Sequence, residues 1–149
     1  MGLHCDFNAF SRSYGCFYWW RIKIAEVLGF SLELMEYFYN GDLGKQGTFN
    51  RILECDELGA VWKDSLKRTM KSLPIKWEVL KPDPLHELLC HSDCDGYLTY
   101  GACGKIAKRL KQILPLIKDD PYLDYKQITK NFIKGCEKAY KLKKRMRFG

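Results

Sequence analysis

The sequence has no Cys-x-x-Cys pair, no Gly-Lys-Ser/Thr phosphate loop and no Ser-His-Asp order, and its three histidines are confined to positions 4, 86 and 91. A paired-thiolate metal centre, a P-loop and a nucleophile activated by a base therefore find no complete set of residues, and no enzymatic activity is expected. No apolar run approaches the roughly 20 residues that cross a bilayer, so no membrane association is expected. The first residues lack a charged region, an apolar core and a small-residue cleavage site, which predicts a cytoplasmic protein with no secretory leader. The seven cysteines, at 5, 16, 55, 90, 94, 103 and 136, are odd in number and scattered through helical patterns. Free thiols are the expectation.

What is present is enough to build a core. Over 149 residues the chain is 46% hydrophobic and 14% aromatic, which predicts a single globular domain spanning 1–149. The net charge of +7 is unevenly placed: residues 1–104 carry eleven Lys or Arg against fourteen Asp or Glu, whereas residues 105–149 carry fourteen against four. The basic part is the final third, above all the helix and tail of 121–149.

Hydrophobic spacing predicts a mainly α fold, a bundle of about five to six helices with a small two-stranded β pairing of the termini. Leu3, Cys5 and Phe7 alternate with polar residues, as do Met146 and Phe148. Ser11 or Ser13 offers an N-cap for a helix over Tyr14–Leu28, stopped by Gly29, with Phe17, Trp20, Ile24, Val27 and Leu28 inward and Arg21, Lys23 and Glu26 outward. Tyr14, Phe17, Tyr18, Trp19 and Trp20 are candidates either for the core or for a base-stacking platform. Further helices are predicted from Ser31 to Tyr39, over 49–55 and over 57–73, with a glycine-rich connection at 40–47 and a short strand at 75–79. A helix ending near Ile117 carries Ile106, Leu110, Ile113, Leu114 and Ile117 on one face. The last helix is predicted to start at Asp119-Asp120-Pro121 and to bury Tyr125, Ile128, Phe132, Cys136 and Ala139.

The central stretch is His91-Ser92-Asp93-Cys94-Asp95-Gly96-Tyr97-Leu98-Thr99, which partly resembles a degenerate EF-hand calcium loop. With Gly96 at the turn, the oxygen or nitrogen ligands fall on His91, Asp93, Asp95, the Tyr97 carbonyl and Thr99, and position twelve is Ala102 rather than the usual Glu. The structural alternative is a corner in which Asp93 and Asp95 cap backbone amides and Gly96 is left-handed. A zinc set of His86, Cys90, His91, Cys94 and Cys103 is a third reading of the same stretch.

Two segments resemble a family of uncharacterised small proteins of bacteria and their phages: Met1-Gly2-Leu3 with Phe7 and Phe10-Ser11-Arg12-Ser13-Tyr14, and the hexapeptide His91-Ser92-Asp93-Cys94-Asp95-Gly96. Members usually carry an acidic residue where this chain has His4 and a Glu near Ala102. The resemblance implies a phage or bacterial accessory protein, such as a host-defence antagonist acting in the host cytoplasm.

On the last helix Lys126, Lys130, Lys134 and Lys138 recur at i+4, and Lys141, Lys143, Lys144, Arg145 and Arg147 continue the basic run. Like charges at this spacing repel, so an anionic partner relieves a cost. The expected function is non-catalytic binding of nucleic acid, a nucleotide-derived signal or an acidic protein surface through this third of the chain, with Lys126, Lys130, Lys134, Lys138, Arg145 and Arg147 as ligand-binding residues. The alternatives are a protein-interaction module using an aromatic surface and an ion-binding protein.

Overall fold

The computed structural model describes residues 2–36, 38 and 75–149. Strand β1 (Gly2–His4) leads through a 3-10 turn at Asp6–Asn8 into β2 (Ser11–Ser13), and the two pair antiparallel with Leu3 opposite Arg12. Helix α1 (Tyr14–Leu28) has the ends that the spacing predicts: Ser13 Oγ accepts from the Cys16 amide at 3.2 Å, and Gly29 closes the helix at φ 86°. Helix α2 (His86–Leu89) is a single turn. Strand β3 (Tyr97–Leu98), α3 (Tyr100–Ile113), α4 (Tyr125–Leu142) and β4 (Met146–Arg147) follow.

Helices α3 and α4 pack along their lengths, and α1 crosses α4 through an aromatic seam. Trp20 is the seam's centre, with ring centroids 6.0 Å from Phe10, 5.9 Å from Phe17 and 4.9 Å from Phe132. Its indole N–H donates 2.9 Å to Thr129 Oγ1, whose own hydroxyl donates 2.7 Å to the Tyr125 carbonyl. Gly135 lets the N-terminal turn lie directly on α4, because a Cβ there would come within 2.7 Å of Ala9 Cα. Strand β4 pairs antiparallel with β3, Tyr97 opposite Arg147 and Leu98 opposite Met146.

Several expectations are corrected. The described residues hold four helices, only three of them longer than seven residues, together with two small two-stranded sheets, so the five-to-six-helix bundle is not the architecture although the fold is mainly helical. The helix expected from Ser31 is a 3-10 turn at Leu32–Leu34, after which Met35 is extended and bridges Ile75 in parallel. Backbone bonding between these segments outcompetes continuation of the helix. The strand expected over 75–79 contributes only Ile75 and then turns at Trp77–Val79.

The termini meet through a single bridge, Cys5 opposite Phe148, with reciprocal bonds between His4 and Gly149; the strands themselves pair with other partners. Helix α4 begins at Tyr125, later than expected, because Asp120 Oδ1 takes the amides of Tyr122 and Leu123 (both 2.8 Å) and holds that segment as a turn. Asp119 Oδ1 instead reaches the Lys126 amide at 2.9 Å. The helices expected over 49–55 and 57–73 and the connection at 40–47 lie outside the described residues. Among the described residues no helix is long and apolar enough to cross a membrane.

Thr129→Val keeps the shape of the site and leaves the Trp20 indole N–H buried without an acceptor. Urea unfolding is expected to read a loss of about 1–3 kcal/mol, the cost of one orphaned buried donor.

Candidate functional site

In the 91–99 loop the side chains of His91, Ser92, Asp93, Cys94 and Thr99 are engaged by neighbouring groups, while Asp95 is exposed and makes no hydrogen bond among the described residues. The His91 ring nitrogens lie 2.7 Å (Nδ1) from the Ser92 carbonyl and 3.2 Å (Nε2) from the Tyr97 carbonyl, so both face acceptors and the ring stands against the carbonyl at the seventh loop position. Ser92 Oγ accepts from the Cys94 amide at 3.2 Å, and Thr99 Oγ1 accepts from the Ala102 amide at 3.1 Å as the N-cap of α3. The caps are therefore Ser92 and Thr99, not the two aspartates. The Cys94 thiol donates to Asp93 Oδ1 at 3.1 Å, and this bond to a carboxylate raises the Cys94 pKa. Gly96 sits at φ 98°, and a Cβ on it would stand 3.2 Å from His91 Cε1. Only glycine meets both conditions without strain.

The zinc residues are not brought together. Cys103 is buried in the core beside Cys136. His91 packs on Phe148 with centroids 4.1 Å apart, and His86 packs on Trp77 at 5.9 Å. Cys90 is an exposed residue whose Sγ stands 4.0 Å from His86 Nδ1; loss of water around the sulfur and the charge of Glu87 raise its thiol, which opposes the thiolate that nucleophilic chemistry needs. Burial, then the charge of Asp6, pushes Cys5 up to about 12. All six described cysteines are free, and among the described residues no three His, Cys, Asp or Glu side chains gather as a metal site.

Arg21, expected on the outer face of α1, is buried. Its Nη1 donates to the carbonyls of Leu89 (3.2 Å) and His91 (2.6 Å), and its guanidinium lies 4.3 Å from the Phe17 ring centroid. This cation ties the end of α2 and the start of the loop to α1. Of the aromatic cluster on that helix, Phe17 and Trp20 are core, while Trp19 is 51% exposed.

The predicted basic residues fall in two connected places. Lys126, Lys130, Lys134, Lys138 and Lys141 are exposed along the outer side of α4, and none of them is in an ion pair among the described residues. The helix's one carboxylate, Glu137, is paired with Lys111 of α3. Past the helix, Lys143 takes φ 52° and turns the chain back, so that Lys143, Lys144, Arg145 and Arg147 line an open cleft of about 870 Å³ with Asp6, Phe7, Gly96, Tyr97 and Phe148. Arg145 lies 4.7 Å over the Tyr97 ring.

Arg147 donates to Asp6 through both Nε (3.0 Å) and its backbone amide (3.1 Å). Although partial burial opposes the shift, those bonds hold the Asp6 carboxyl below its ordinary range. Four cations thus share the cleft with one carboxylate. Phe7 and the Tyr97 ring were not predicted as site residues. The positive φ of Phe7, 62°, has no sequence signature, and the calcium-loop spacing involves Tyr97 only through its carbonyl.

A carboxyl whose folded pKa is lowered adds stability that is complete above the ordinary carboxylate range and is lost as pH falls through it. Asp6→Asn is therefore expected to destabilise the protein by about 0.2–1 kcal/mol near neutral pH, as for an exposed pair, with no difference from the parent in strong acid. The same variant releases Arg147 and raises affinity for inorganic polyphosphate. Urea unfolding at the two pH values, with calorimetric titration, checks both. Comparison with protein-family models, with curated proteins and with solved structures finds no match.

Proposed function

We propose that the protein is a non-catalytic binder of an extended polyanion, engaged along the outer side of α4 and into the adjoining cleft. The observation that carries this reading is the spacing and freedom of the α4 lysines. Steps of four residues place successive ammonium groups about 6 Å apart along the axis, and Lys126 to Lys138 covers about 18 Å. Such a row matches a chain of regularly spaced charges better than one small anion, which would touch one or two of the lysines. Because the helix's one carboxylate, Glu137, is paired with Lys111 of α3, the row also carries a self-repulsion that a polyanion removes.

Nucleic acid is the polyanion of this chemistry favoured here over an acidic protein surface, whose carboxylates are not spaced evenly. The exposed Trp19 supports a second reading, docking of a protein partner on α1. The two differ in their response to salt, since phosphate contacts release counterions and apolar contacts do not.

Fluorescence anisotropy of a labelled nucleic-acid strand over a salt series tests the reading. The parent is expected to lose affinity steeply with salt, and the variant Lys126→Gln, Lys130→Gln, Lys134→Gln, Lys138→Gln to flatten the log–log slope by about 3, close to 0.7–0.9 per phosphate contact. An unchanged slope, or binding indifferent to salt, contradicts the proposal.

A further inference from the structure

Five residues of the described chain have positive φ, and four of them, Phe7, Asn8, Gly96 and Lys143, are in or next to the cleft. At Phe7, Asn8 and Lys143, which carry a Cβ, such backbone is strained and persists where surrounding structure holds it, and strain of this kind concentrates at binding sites. Here the N-terminal turn is held by its seat on Gly135 and by the Asp6–Arg147 pair. The Gly96 turn is held by the Phe148 amide, which donates 2.9 Å to the Gly96 carbonyl. The result is a preformed recess with two different linings, one cationic and one aromatic.

The aromatic lining is specific in its arrangement. Tyr97 is 52% exposed although it sits in a strand, and the Arg145 guanidinium already covers part of its ring. A planar, electron-poor partner laid on the ring would be flanked by Lys143, Lys144 and Arg147, which reach the charge attached to it. Inorganic polyanions use the cations and have no use for the ring. A nucleobase with its phosphate uses both, and aromatic stacking is tolerant of base identity.

We infer that the cleft binds one unpaired nucleobase stacked on Tyr97, with the adjoining phosphate held by Lys143, Lys144 and Arg147, so that the protein selects single-stranded over duplex nucleic acid. This rests on the polyanion reading above and adds to it the strandedness of the partner. The bases of a duplex are stacked on one another and present no free face to the ring. The α4 lysines then track the backbone of the same strand as it leaves the cleft.

The test compares Tyr97→Val, which keeps a strand-forming residue, and Tyr97→Phe, which keeps the stacking ring, with the parent. Each is titrated against a labelled oligothymidylate of about 12 nucleotides and against inorganic polyphosphate. Tyr97→Val is expected to weaken oligothymidylate about tenfold and leave polyphosphate unchanged, while Tyr97→Phe binds both like the parent. Polyphosphate binding with no effect of Tyr97→Val on oligothymidylate overturns the cleft inference and leaves the lysine reading standing. Equal loss of both ligands also overturns it, because phosphate contacts and not stacking would then carry the effect. Failure of the parent to bind either ligand removes both readings.

Photocrosslinking of the unmutated protein to an oligonucleotide carrying 5-iodouridine gives an answer independent of folding in the variants. Crosslinks at Tyr97 are expected, and crosslinks confined to the α4 peptides overturn the inference. Thymidine 5′-monophosphate as competitor separates the sources: displacement only at large excess identifies a strand, and displacement at equal concentration identifies a free nucleotide as the stacked ligand.

Discussion

Phe148 buries its ring against His91, with centroids 4.1 Å apart, and against Phe17 at 5.9 Å and Phe132 at 6.4 Å, so that one side chain joins the 91–99 loop, α1 and α4 to the C-terminal strand. Strand geometry then decides what surrounds it. Side chains alternate across a strand, and with Met146 and Phe148 buried, Arg145 and Arg147 must face outward. The cationic side of the cleft is thus a by-product of apolar anchoring on the opposite face. The same anchoring draws β4 onto β3 and brings Tyr97 beside the two arginines.

A second constraint holds the loop from beneath. Arg21 is a buried cation whose cost is offset by two carbonyls and an aromatic ring, and its partners are the residues where α2 gives way to the loop. With His91 fixed at its carbonyl by Arg21, its ring is aimed at the Ser92 and Tyr97 carbonyls. The acidic loop is therefore arranged as a tightly bonded corner, with Gly96 as the residue that lets the chain pass over the imidazole.

Helical periodicity made much of this fold legible. The ends of α1 follow from Ser13 and Gly29, and the inward faces of α3 and α4 were read from apolar spacing. What periodicity missed was set by contacts between distant segments: Met35 bridging Ile75, Arg21 drawn inward by carbonyls some 70 residues away, and Phe7 at positive φ in a turn whose Ala9 packs on Gly135. Of the site, the lysines at i+4 were plain because exposure on a helix follows from the opposite apolar face. The cleft was not, since it exists only where the N-terminal turn, the Gly96 turn and the chain after Lys143 meet.

The central claim is that anion recognition is localised on the α4 lysine row and the cleft beside it. Amide chemical-shift mapping during titration with a short single-stranded oligonucleotide tests this most directly. The account predicts shifts concentrated at residues 126–147, with further shifts at Phe7, Gly96 and Tyr97. Shifts centred instead on the Trp19 side of α1, with α4 and the cleft unmoved, would contradict it.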